Sequence, residues 1–182
     1  VAYLVENVAV TGGARETQLR LARANSATPK DAAAWSVTTV AHAIGSCAGR
    51  CADGTQCFTP TTTGDPEVCL APTSDCAAAC GDNEACQGGT CRAVLPAPAA
   101  VEFAQGTGLF ANLATLPDGR LTIVYYDRAR TSLVLQVETA AGASTFAETV
   151  LDATGDRGWW ASSVVGADGV LHIAYQDGRA DT

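Results

Sequence analysis

Eight cysteines are the residues best equipped for chemistry, and all of them lie between Cys47 and Cys91 of a 182-residue chain. They form two similar runs, "CAGRCADGTQCFTPTTTGDPEVC" and "CAAACGDNEACQGGTC". Each run reads C-x3-C-x5-C followed by a fourth cysteine. Thiolates in such numbers could hold two tetrahedral zinc ions. Against that, the runs lack C-x2-C knuckles and contain no histidine. Disulfides are the expected chemistry, in an oxidising compartment. Within each half the expected pairing is first to third and second to fourth: Cys47–Cys57, Cys51–Cys69, Cys76–Cys86 and Cys80–Cys91. Four cysteines permit three connectivities, and spacing leaves the choice open. Each half is too small to bury a core, so cross-links must replace one.

Other candidate groups are sparser. Asp53, Asp65, Glu67, Asp75, Asp82 and Glu84 crowd the cysteine segment against one base, Arg50. A solvated acidic face is the plain reading, with a weak calcium site or an acidic docking surface as the alternative. No other cofactor is expected. Asp127 and Asp177 each follow a tyrosine by two positions, with Glu6 in a comparable place. Repeated acids of this kind either bind a ligand at a rim or cap turns and pair with arginines such as Arg128 and Arg179. Trp159 and Trp160 stand where an earlier, similar stretch has Leu109 and Phe110. One core indole and one rim indole are expected, and the rim indole could stack on a sugar. His172 falls inside a strand pattern as a hydrogen-bonded structural residue, and His42 leads into the cysteine segment. No nucleophile elbow, zinc-protease motif, phosphate loop or calcium-hand pattern occurs. Catalytic residues are therefore not assigned.

The elements that must position these groups follow from a repeat. "GLFANLATLPDGRLTIVYYDRART" (108–131) lies over "GWWASSVVGADGVLHIAYQDGRAD" (158–181). Gly108, Asp118-Gly119, Leu121, Ile123, Tyr125 and Asp127 fall on Gly158, Asp168-Gly169, Leu171, Ile173, Tyr175 and Asp177. Each copy reads as two strands joined at an Asp-Gly turn, whose glycine supplies a positive φ. The return strand is apolar on both sides: Leu121, Ile123 and Tyr125 point one way, Val124 and Tyr126 the other. Such a strand belongs between packed sheets. Val1-Ala2-Tyr3 matches Ile123-Val124-Tyr125, and both are followed by an alternating strand (Leu19 and Leu21; Leu133 and Leu135). An aromatic-led strand comes next, after Trp35 or Phe146. One unit is thus four strands, A to D, and the fold class is all-β. Strands are expected at about 112–116, 121–127, 132–138 and 145–151, with 19–23 pairing with 36–40.

Four-stranded units of about fifty residues are the mark of β-propeller blades. "GDRGWWASSVVGADGVLHIAYQD" resembles the blade repeats of secreted bacterial β-propellers, distantly similar to sialidase and neuraminidase-repeat propellers. The cysteine segment resembles small EGF-like or Dickkopf-like modules. The resemblance implies about two blades' worth of a propeller. Its parts are a partial blade at 1–43, a disulfide module at 44–94 in two halves (47–69 and 76–91), and a Pro/Ala linker at 95–104. A complete blade follows at 105–155, then the first two strands of another at 156–182. A sialidase would need an arginine cluster, a tyrosine nucleophile with a glutamate partner and the Asp box S-x-D-x-G-x-x-W, which is absent here. Tyr125 and Tyr175, as repeat positions, are read as core.

Nineteen acids against eleven bases, a formal charge of −8, exclude a nucleic-acid surface and anionic lipid as partners. No apolar run is long enough to span a bilayer. Ten arginines to one lysine, and no methionine, suit a processed product of a GC-rich bacterial genome. The expected location is extracellular or periplasmic, secreted or on the cell surface. The expected function is binding or scaffolding, by adhesion or carbohydrate recognition. The alternative is a fragment of a sialidase-like glycosidase or polysaccharide lyase with its catalytic residues mostly elsewhere. Because the repeat register enters and leaves in strand B, Val1 and Thr182 are not expected to be biological termini. The expected partners are the remaining blades of a larger polypeptide or further copies of the chain, with a surface glycan or protein as ligand.

Overall fold

A computed structural model describes residues 1–10, 14–45, 47–48, 51–62, 67–96 and 106–178. The expected linker lies outside the described residues from position 97 onward, as do Arg50, Asp65 and Arg179. The chain is all-β and divides into two compact units. One contains Val1–Val5, Gln18–Ala43 and Gly106–Thr182; the other contains Glu6–Thr17 and Ile44–Gln105.

Three sheets follow one plan. The middle sheet is an antiparallel meander of β8 (Thr107–Thr115), β9 (Leu121–Asp127), β10 (Ser132–Glu138) and β11 (Phe146–Asp152). The sheet before it orders β1 (Ala2–Ala9), β2 (Arg15–Ala24) and β3 (Trp35–Gly45). The sheet after it pairs β12 (Arg157–Val165) with β13 (Leu171–Asp177).

The repeat persists atom by atom in the hairpins. Leu116 N–H donates to the Arg120 carbonyl at 2.8 Å, and Gly119 N–H donates to the Leu116 carbonyl at 2.9 Å. Gly166 and Val170, then Gly169 and Gly166, make the same two bonds at 2.8 and 2.9 Å. Asp118 and Asp168 accept from the backbone two residues on, at 3.1 and 3.0 Å. Gly119 and Gly169 sit at φ 85° and 79°, the left-handed third position of a three-residue loop. Register also repeats: Thr107 lies opposite Asp127 as Arg157 lies opposite Asp177, with bulges at matching places in β8 and β12.

Strand β9 is covered on both faces, as its two-sided apolar pattern requires. Ile123, Val124 and Tyr125 are wholly buried and Tyr126 nearly so. Ile123, Tyr125 and Val134 pack on Leu19 and Leu21 of β2. Val124 and Leu133 pack on Ala161, with Ile173 alongside. Burying such side chains contributes about 1.5–3 kcal/mol each.

One close approach governs both sheet contacts. Gly108, at φ 98°, lies so near β2 that a Cβ there would meet Leu19 Cβ at 3.0 Å and its Cα at 3.2 Å. Gly158, at φ 111°, lies so near β10 that a Cβ would meet Leu133 Cα at 3.0 Å. Leu19 and Leu133 are the same repeat position. Val1 and Ala22 exchange bonds of 2.9 and 2.8 Å, where the middle sheet pairs Ile123 with Gln136.

The first sheet departs from expectation at its far end. Strand β1 does not stop near Tyr3 but runs to Ala9, so Glu6 lies within a strand rather than after one. Strand β3 likewise passes the expected boundary at 43 and ends at Gly45. In an antiparallel meander the β1–β2 connection and the exit from β3 share one end. Glu6–Thr17 therefore joins Ile44–Gln105 in one compact unit.

That unit holds four disulfides: Cys47–Cys57, Cys51–Cys69, Cys76–Cys86 and Cys80–Cys91. The two halves share one sheet. Strands β4 (Gln56–Phe58), β5 (Val68–Leu70), β6 (Glu84–Gln87) and β7 (Thr90–Leu95) form one sheet ordered β5-β4-β7-β6. Cys57 pairs with Leu95 and Phe58 with Val94, which joins the halves. Phe58 is fully buried, with the Arg92 guanidinium 5.3 Å from its ring centre. Each bridge closes a short loop and stabilises by about 2–4 kcal/mol.

Gly108→Ala and Gly158→Ala should each lower stability by about 2–4 kcal/mol, combining overpacking with a disfavoured φ. Gly119→Ala, whose Cβ would meet only Ala141 at 3.5 Å, should cost about 1 kcal/mol. Urea denaturation followed by tryptophan fluorescence measures the difference.

Candidate functional site

The bulges of β8 and β12 set an aromatic cluster. Phe110 and Trp160 occupy left-handed conformations, φ 55° and 52°, which cost a bulky residue about 1–2 kcal/mol. The turned backbone brings the two rings to 4.4 Å between centres. Trp159 lies 6.0 Å from Phe110 and 5.5 Å from Tyr126, and Phe110 stacks on Tyr126 at 6.3 Å. Of the two indoles expected to differ, Trp159 is half-buried inside this cluster and Trp160 is 60 % exposed. The Tyr126 hydroxyl donates to Asp156 Oδ1. Burial, with the Asp156 carboxylate next in effect, pushes the Tyr126 phenol far above its ordinary range.

The repeated acids are engaged with arginines, Asp127 with Arg130 and Asp177 with Arg157. Asp127 is buried; it accepts from the Arg130 amide at 3.1 Å and the Arg130 Nε at 2.8 Å. Asp177 forms an ion pair with Arg157 Nη1, and Asp152 lies 3.7 Å from Arg157 Nε. Asp127 thus closes the β9–β10 turn. Its oxygens serve the fold.

Arg130 also reaches Glu148 Oε1 at 2.7 Å, while Gln136 Nε2 donates to Glu148 Oε2 at 2.9 Å. The Tyr125 hydroxyl donates to the same oxygen at 3.4 Å. Arg130, first among these donors, holds the Glu148 carboxyl below its ordinary range. Tyr125, raised by burial, is a cross-strand bracing group. Tyr175, its counterpart, is 42 % exposed and donates to Asp152 at 2.8 Å. The Thr154 hydroxyl and amide hold Asp152 at about 2. Glu138, fully buried, accepts from Leu121 N–H at 2.8 Å and pairs with Arg23. His172 lies on β13 but is exposed rather than held inside. His42 lies on β3.

Sequence reasoning missed Phe110, Arg130, Glu138, Glu148 and Asp156. The aligned Leu109-Phe110-Ala111 and Trp159-Trp160-Ala161 triplets carried the signal for the first. The others lacked one, because their partners are distant in sequence or fold back across a turn.

The cysteine triads that converge, Cys47/Cys51/Cys57 and Cys76/Cys80/Cys91, are taken up in disulfides, which leaves them no thiolate for a metal. Glu67 accepts from Cys47 N–H at 3.0 Å, Glu84 from Gly81 N–H at 3.1 Å, and Asp75 from the Thr73 hydroxyl. These acids satisfy local donors. The arrangement as a whole offers an aromatic surface and braced carboxylates. No family model, curated protein or solved structure matches the chain.

A carboxylate whose folded pKa is depressed stabilises the fold above its unfolded pKa, and that contribution is lost as pH falls through the folded value. Glu148, ordinarily near 4.5 and lowered here, follows this rule. Glu148→Gln should therefore weaken the fold near neutral pH and flatten the loss of stability below about pH 4.5. Melting temperatures from pH 2 to 7 check both effects.

Proposed function

We propose that the chain belongs to a secreted or cell-surface β-propeller that acts as a binding and scaffold module in adhesion. The observation that carries this reading is the sheet contact made twice: Gly108 against Leu19, then Gly158 against Leu133. A head-to-tail contact repeated with a constant rotation generates a closed ring when the rotation divides the circle. Propeller blades close in this manner, with four to eight units. The remaining blades are the partners this reading requires.

Binding is favoured over catalysis by where the reactive groups are committed. Tyr125, Tyr126 and Tyr175 are the tyrosines, and Asp127 and Glu148 the acids, that a glycosidase reading would use. Each is engaged in a hydrogen bond within the fold. The four disulfides fit an oxidising environment, and secretion is the simplest route to one. No helix among the described residues is long and apolar enough to cross a membrane. The disulfide-stapled sheet is an insertion between repeats, a position where loops carry recognition surfaces.

Arrays of extracellular proteins and glycans, with fluorogenic sialoside and uronate-elimination assays run in parallel, test the proposal. Saturable binding that is lost when the disulfides are reduced and alkylated, with no turnover, is expected. Turnover by the purified chain would contradict it.

A further inference from the structure

Trp160 invites a sugar-binding reading, but the repeat points elsewhere. Its counterpart Phe110 is half-buried because Trp159 and Trp160 of the next sheet lie over it, at 6.0 and 4.4 Å between ring centres. The neighbours of Phe110 on that face are covered too. Val124 is fully buried and Tyr126 nearly so, with Ala161 packed on Val124 and Trp159 on Tyr126. In the third sheet the corresponding residues are Trp160, Ala174 and Gln176, and all three are exposed. The first sheet obeys the same rule: Ala2, the counterpart of Val124, packs into the cluster that joins it to the middle sheet. Two successive sheets thus have this face covered by the strand-A bulge of the next. In the third the same three positions are exposed.

We propose that Trp160, with Ala174 and Gln176, is the seat for the strand-A bulge of a further repeat, a Gly-aromatic-aromatic-Ala segment like 158–161. This inference rests on the propeller reading and extends the interface already made twice. The occupant is a sheet of the same repeat class rather than a glycan. Its first aromatic ring would take the place that Trp159 takes over Tyr126, and its second would lie on Trp160 as Trp160 lies on Phe110. The strain held at Trp160, φ 52°, is then explained as it is at Phe110: the left-handed turn aims the ring at the adjoining sheet. A second copy of this chain does not offer such a segment free. Its Gly108 bulge already lies against its own Leu19, and its Gly158 bulge against its own Leu133.

The full chain followed directly by a second copy of residues 133–182 tests the proposal, because it appends strands C and D and one more A–B hairpin in register. Pairing of the appended strand C is read by hydrogen exchange over Leu171–Asp177, expected to slow about tenfold or more. Covering of Trp160 is read by the solvent response of its 5-fluorotryptophan resonance, assigned with Trp160→Phe. The resonance should become protected. Gly158→Val in the appended copy alone should return it to solvent while the β13 amides stay protected. Unchanged exchange over β13 would overturn the repeat reading. Protected β13 amides with Trp160 still exposed, or Trp160 in the extended chain quenched by an added oligosaccharide, would overturn the docking inference alone.

Discussion

The contact between a bulge glycine and the backbone of the preceding sheet is the constraint on which the other features depend. A Cβ at Gly108 or Gly158 would stand 3.0 Å from Leu19 or Leu133, closer than carbon atoms ordinarily approach. With a side chain there the sheets could not approach closely enough to bury Tyr125 and Val134 on one side of the middle sheet and Val124 and Leu133 on the other. The bulge that allows the approach also turns Phe110 and Trp160 into left-handed conformations. One backbone device thus sets sheet spacing and aims the aromatic rings. Polar braces then fix the angle between strands: Arg23 to Glu138 across two sheets, and Asn112 Oδ1 accepting from the Ser163 amide at 3.0 Å and from its hydroxyl at 2.6 Å across the next two.

The disulfide-bearing unit is held by different physics. It has few large apolar residues, and Phe58 is its one fully buried aromatic among the described residues. Four bridges restrict the unfolded chain where burial is insufficient. The sheet that joins β4 to β7 makes the two halves one body, so bridges confined to each half still stabilise the whole.

Much of the architecture could be read from the residues. Alternation on both faces of 121–127 required a strand between sheets. Asp-Gly at 118–119 and 168–169 located the hairpins, and the aromatic leads Trp35 and Phe146 located the last strands. What could not be read has identifiable causes. "LVENVAV" after Tyr3 carries Asn7 alone as a turn residue, with no Gly or Pro beside it, so the length of β1 depends on its partner strand. The β4–β7 pairing links positions far apart, and strands as short as the three residues of β4 and β5 leave little pattern. Asp127 finds Arg130 because the turn folds three residues back, a matter of turn geometry rather than spacing. The exposure of Trp160 resembles a ligand platform when taken singly. Only alignment with Phe110 relates this face to the covered face of the middle sheet.

Nuclear Overhauser spectroscopy on the isotope-labelled chain tests the central contact most directly. Cross-peaks from the Gly108 α-protons to the Leu19 α- and β-protons, and from the Gly158 α-protons to the Leu133 α-proton, are predicted at comparable strength. Absence of either set from spectra that show the β9–β10 cross-strand peaks would contradict the account, because the repeated sheet contact would then not exist.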